Sequence, residues 1–149
     1  MNKKRDSSQQ ANMQRHDLYR MAIPRARRAV EEGYPLEAIA LYESLMADRI
    51  ENALHLSSGY NGRHLTIGTA ASKAMKNEKL AEAHGSLAEA AEWAKARNQA
   101  LHEMAKVTEG SESLWAQRMA EATSAAEQGY DLFRKLDRSL RKALASETA

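Results

Sequence analysis

Residues 115–143 read WAQRMAEATSAAEQGYDLFRKLDRSLRKA. Apolar or small side chains stand at Trp115, Met119, Ala122, Ala126, Gly129, Phe133, Leu136, Leu140 and Ala143. Their spacing alternates four and three throughout, which lays one continuous seam along a long helix packed against other helices. Gly129 keeps the phase, so the spacing predicts close packing at that point rather than a break.

The segments before it read the same way. A first helix is predicted from Ser7 or Ser8 to Glu32, with Pro24 kinking or dividing it. Gly33 closes that helix and Pro35 opens a second, which runs to about Leu56. Its inner side carries Leu36, Ile39, Ala40, Met46, Ile50, Ala53 and Leu54. The run from Ser57 to Gly62 is a loop, and a short helix follows Thr66 and fades near Asn77. A fourth helix is predicted from about Lys79 to Val107, ended by Gly110, and the last starts at Ser111 or Ser113.

Composition agrees with an all-α chain. Of 149 residues, 2 are Pro and 7 Gly; Ala, Glu, Lys and Arg abound, and 43% are hydrophobic. One Phe and few β-branched residues argue against a sheet. The length suits a single domain with a sizeable core, residues 1–8 reading as a flexible tail. Cysteine is absent, which removes disulfides and thiolate metal sites. A net charge of +2 is too small to announce a nucleic-acid binder by itself. The basic N-terminus has no apolar run after it, and no stretch approaches the length that spans a bilayer. A cytoplasmic protein without a membrane segment is the simplest expectation.

One short run in the fourth helix carries chemistry: Trp93-Ala-Lys-Ala-Arg97-Asn98-Gln-Ala-Leu-His102. Arginine holds phosphate and histidine moves protons near neutral pH, the two tools of a nuclease that works without metal. Asn98 and His102 are four apart and share a helical face. Arg97 lies on the stripe of Leu80, Ala83, Leu87, Ala90, Ala94, Leu101 and Met104, where a charge is costly unless it has a partner or a task. Glu43, on the inner side of the second helix, needs a cation in turn, and Arg97 or Arg49 could supply it.

Arg, Asn and a His after a short spacer, preceded by Trp, in an all-helical chain, resemble the HEPN family (higher eukaryotes and prokaryotes nucleotide-binding domains). The resemblance runs from about Ala29 to Val107 and takes in Tyr42-Glu43-Ser-Leu45, Asp48-Arg49 and Leu65-Thr-Ile-Gly68. It implies a HEPN-like bundle of about five helices with a long C-terminal helix. It also implies a metal-independent endoribonuclease, a toxin or immunity effector that acts as a homodimer on RNA. The catalytic residues would be Arg97, His102 and Asn98, with Glu43, Trp93 and Arg49 in support. Neither a cofactor nor a metal is implied; an antitoxin or a defence-system protein is the implied partner. Members that have lost catalysis bind a nucleotide or a protein, and that is the alternative for this chain. Members paired with nucleotidyltransferases carry a Tyr two residues after the motif His. Here that position is Met104, so modification there is not expected.

Other constellations read as structural. Arg49 with His55 lacks the Asn and the Trp, and Arg63-His64 reads as a solvated loop pair. His16 and His84 have no metal-ligand spacing with another His or carboxylate. The basic sets Arg25, Arg27, Arg28 and Arg134, Lys135, Arg138, Arg141, Lys142 could follow an RNA backbone, though such runs are commonly solvated helix faces. Met13, Met21, Met46, Met75, Met104 and Met119 read as core filler. No glycine-rich phosphate loop, carboxylate cluster or serine elbow is present.

Overall fold

The computed structural model describes residues 2–62, 64–107, 109–110 and 113–148, with side chains from 8 to 146 within these ranges. Arg63 and Ser111 lie outside the described residues. The protein is an all-α bundle: α1 (Asn2–Glu31), α2 (Pro35–Ser58), α3 (Ile67–Met75), α4 (His84–His102) and α5 (Trp115–Thr148). A 3-10 turn, Glu78–Ala83, leads into α4. No helix among the described residues is long and apolar enough to cross a membrane.

The α1–α2 corner follows from two residues. Gly33 takes φ +87°, a conformation glycine adopts without steric cost. The turn it forms lets Tyr34 N donate to Ala29 O (2.7 Å) and Gly33 N to Val30 O (3.2 Å). Two otherwise orphaned carbonyls are thereby satisfied, and Pro35 starts α2 where its missing N–H costs nothing. The two helices consequently run antiparallel, with Arg25 on Glu37 and Arg15 on Asp48. At the far end of α2, Gly59 (φ +71°) donates to His55 O and stops the helix.

α2 lies at the centre. It packs against α1, α3 and α5, while α4 closes the bundle against α3 and α5. Ile39, Tyr42, Met46 and Ile50 of α2 meet Ile67, Leu80, Leu87, Leu136 and Leu140 in one core cluster. The seam of α5 is buried from Ala122 to Ala143. A Cβ on Gly129 would stand 3.0 Å from both Trp93 Cζ2 and Tyr42 Cδ2, so close packing is the reason for glycine there.

Several boundaries and faces differ from the sequence reading. The backbone of α1 is helical from Asn2, ahead of Ser7, because the tract of Lys, Arg and Gln favours helix and serine is tolerated inside it. Pro24 sits within α1 without dividing it. The fourth helix begins at His84, not Lys79. Asn77 Oδ1 accepts from Lys79 N and starts a 3-10 turn instead. Leu80 and Ala83 are three apart, a spacing that suits a 3-10 turn as well as an α-helix, so periodicity could not separate them. The same helix ends at His102 rather than Val107. On α2, Ala40 is exposed, whereas Tyr42 and Leu45 are buried. Trp115 is 61% exposed, since no element covers the first turn of α5. Met13 and Met21 are exposed on α1, which covers α2 with its other face.

Candidate functional site

Arg97 lies on the inner stripe of α4, one turn past Trp93 and Ala94, and is only 9% exposed. Its Nη2 meets Glu43 Oε1 at 2.6 Å across the gap between α4 and α2. Arg97 Nε is also buried and donates to no acceptor among the described residues. The Glu43 side chain keeps 28% of its surface, so the pair sits at the edge of the core, where a guanidinium can be matched and still be reached from solvent.

Beside that pair runs a groove of about 660 Å³ between α3 and α4. Glu43, Arg97, Asn98 and His102 all line it, with Thr66, Gly68 and Ser72 on the α3 side and Lys95 further along α4. Asn98 and His102 are exposed. One groove therefore presents a planar cation on its floor and an amide and an imidazole on its rim. Thr66 caps α3, its hydroxyl accepting from Thr69 N at 3.3 Å, and this fixes the opposite wall.

Trp93 has another task. It is buried, and its indole N–H donates to Ala125 O of α5 at 2.8 Å. It ties α4 to α5 and does not line the groove beside Arg97. Arg49 is not part of the site either. Its Nε lies 2.7 Å from Asp137 Oδ1, and its guanidinium stacks 4.8 Å over Tyr19. Tyr19 donates to Asp48 Oδ2, which Arg15 also holds. Burial and that hydrogen bond push the Tyr19 phenol well above its usual range. These groups form a polar joint between α1, α2 and α5. Burial beside Tyr130 likewise pushes the Tyr42 phenol up to about 12. His55 Nδ1 lies 3.2 Å from Tyr60 O, and His84 Nε2 lies 3.1 Å from Asn77 O, both local contacts to backbone. The alanines of α4 divide between two faces. Ala90 and Ala94 are in the core, while Ala88 and Ala96 are exposed.

Sequence reasoning missed Arg118. Its Nη1 reaches Glu103 O (2.7 Å), Met104 O (3.1 Å) and Lys106 O (2.7 Å), and its Nε donates to Ser113 Oγ (2.8 Å). It gathers three carbonyls of the segment that follows α4 and so fixes the chain just after His102. A lone Arg near the start of α5 gives no pattern that could have announced this. Arg118→Ala is expected to lower stability by about 1–3 kcal/mol, as for loss of hydrogen bonds to a charged group. Exchange protection of the amides of residues 99–103 should fall more than that of α2. Unchanged protection there would show that the clasp does not hold the end of α4.

No three His, Asp or Glu side chains among the described residues come together as a metal site would require. No family model, curated protein or solved structure gives a significant match to this chain.

Proposed function

We propose that the chain is a metal-independent endoribonuclease of HEPN type, with Arg97, Asn98 and His102 as its working residues. The observation that carries this reading is the shared groove, which puts a nearly buried guanidinium beside an exposed imidazole. His102 takes the proton from a ribose 2′-hydroxyl. The 2′-oxygen then attacks the adjacent phosphorus, and the bond to the 5′-oxygen breaks. Arg97 stabilises the charge gathering on the phosphoryl oxygens, and Asn98 orients His102. The leaving 5′-oxygen needs a proton as well. One protomer has a single His102, so the partner's His102, facing it across a two-fold axis, supplies that proton. RNA is thus the substrate, a homodimer the working form, and an antitoxin or defence-system protein the regulating partner.

RNA incubated with the protein in EDTA is expected to yield fragments ending in 2′,3′-cyclic phosphate, with DNA of the same sequence left intact. Light scattering should give a dimer. Cleavage that needs added Mg²⁺ would exclude the metal-free mechanism, and cutting of DNA would exclude the internal 2′-oxygen as nucleophile. A strict monomer that cleaves would exclude the shared site.

The Glu43 contact favours a second reading. Arg97 already has a carboxylate partner at 2.6 Å. In a non-catalytic helical module the pair would serve only to join α4 to α2, and the groove would hold a nucleotide or a protein segment.

A further inference from the structure

The two basic sets of the sequence meet at one aromatic ring. Arg27 of α1 stands 4.8 Å over Tyr130 of α5, and Arg134, one turn further along α5, stands 5.8 Å over the same ring. Arg134 Nη1 also lies 3.2 Å from the Tyr130 hydroxyl. Arg138 continues this face by a further turn. α1 and α5 run antiparallel here: Tyr19 meets Phe133, while Arg27, later in α1, meets Tyr130, earlier in α5.

Ion pairs hold four of these eight cations. Arg25 is held by Glu37, Lys135 by Glu89, Arg141 by Asp137 and Lys142 by Glu82. Arg27, Arg134 and Arg138 are exposed and have no carboxylate partner among the described residues. Glu31, Glu127 and Asp131 make no ion pair with them, and Asp137, next to Arg138, is held by Arg49 and Arg141. Two guanidiniums over one ring repel each other within a Debye length, and an anion between them would remove that repulsion. Contact with the ring, and for Arg134 with its hydroxyl, restricts the rotation of both side chains. Arg134 spends one N–H on the Tyr130 hydroxyl, and its remaining N–H groups and those of Arg27 can reach phosphate oxygens.

We propose that the α1–α5 edge centred on Tyr130 is a docking surface for a nucleic-acid backbone, with Arg27, Arg134 and Arg138 on successive phosphates. It rests on the ribonuclease reading only in taking the natural ligand to be RNA. The ring is covered by arginine and not offered to a base, so the surface grips phosphate without reading sequence or sugar. It adds affinity but takes no part in bond breaking.

The test uses the full chain with fluorescent single-stranded RNA and DNA of one sequence, RNA being measured in the His102→Ala background. Anisotropy is followed from low to moderate salt. The triple variant Arg27→Gln/Arg134→Gln/Arg138→Gln should bind both strands about tenfold or more weaker near 0.1 M salt. The slope of log affinity against log salt should fall by about 2, from roughly 0.7 per phosphate contact on single strands. Lys135→Gln/Lys142→Gln, which removes carboxylate-paired cations from the same helix, should change little. Helical circular dichroism confirms that each variant is folded. Wild-type affinity and slope in the triple variant would overturn the proposal. So would an equal loss in the paired-lysine control, or preference for an acidic peptide over either strand. Full cleavage by His102→Ala would refute the catalytic reading instead, leaving the binding comparison to be judged by itself.

Discussion

His102→Ala is expected to lower RNA cleavage by about 10²–10⁴-fold with the fold intact. That is the usual contribution of a positioned imidazole to proton transfer. His102 is exposed at the last turn of α4 and its imidazole makes no hydrogen bond among the described residues, so its loss should cost less than about 0.5 kcal/mol of stability. Arg97→Ala should be at least as harmful to cleavage, and it also strips Glu43 of its partner 2.6 Å away. Arg97→Lys keeps the charge but loses the planar fork that matches phosphate, so little activity should return. Glu43→Gln separates the two readings of the site. If Arg97 serves phosphate, the amide should still hold its guanidinium and much of the cleavage should remain. If the pair serves only to join α4 to α2, the same change should lower stability with no cleavage in either protein. Cleavage is measured on labelled RNA at saturating and limiting substrate, to separate kcat from KM. Full activity in His102→Ala would remove that residue from the mechanism.

Trp93→Ala should be the most destabilising single change, by about 3–5 kcal/mol. The indole is buried, donates to Ala125 O at 2.8 Å, and fills the space that Gly129 leaves between α4, α2 and α5. Truncation opens a cavity and leaves the Ala125 carbonyl without that donor. Gly129→Val presses on the same spot from the other side. Its added carbons meet Trp93 and Tyr42 at about the limit of contact, and overpacking of this kind costs about 1–3 kcal/mol. Since both changes alter one space, their effects should not add: the double variant should be less destabilised than the sum. Urea denaturation followed by circular dichroism measures all three. A Trp93→Ala loss below about 1 kcal/mol would show that this junction does not hold α4 in place.

The sequence by itself determined the order of the helices, the Gly33–Pro35 corner, the buried seam of α5 and the reason for Gly129. These are local: a cap, a missing Cβ or a four-three spacing acts on the chain within a turn or two and can be read in line. The inner stripe of α4 was legible for the same reason, and with it the position of Arg97 on a buried face. Periodicity says which way a residue faces but not what it faces. Both Arg97 and Arg49 were candidates for Glu43, and only the packing of α4 on α2 gave it to Arg97, while α5 brought Asp137 to Arg49. The end of α4 at His102 was equally hidden, and so was Arg118, which reaches back from the next helix to the carbonyls just after it. Tyr130 gathers Arg27 and Arg134 from segments a hundred residues apart in the chain. Such meetings are settled by how apolar faces pack, since burying those faces fixes the helix positions first and the charged groups must then pair with whatever lies within reach.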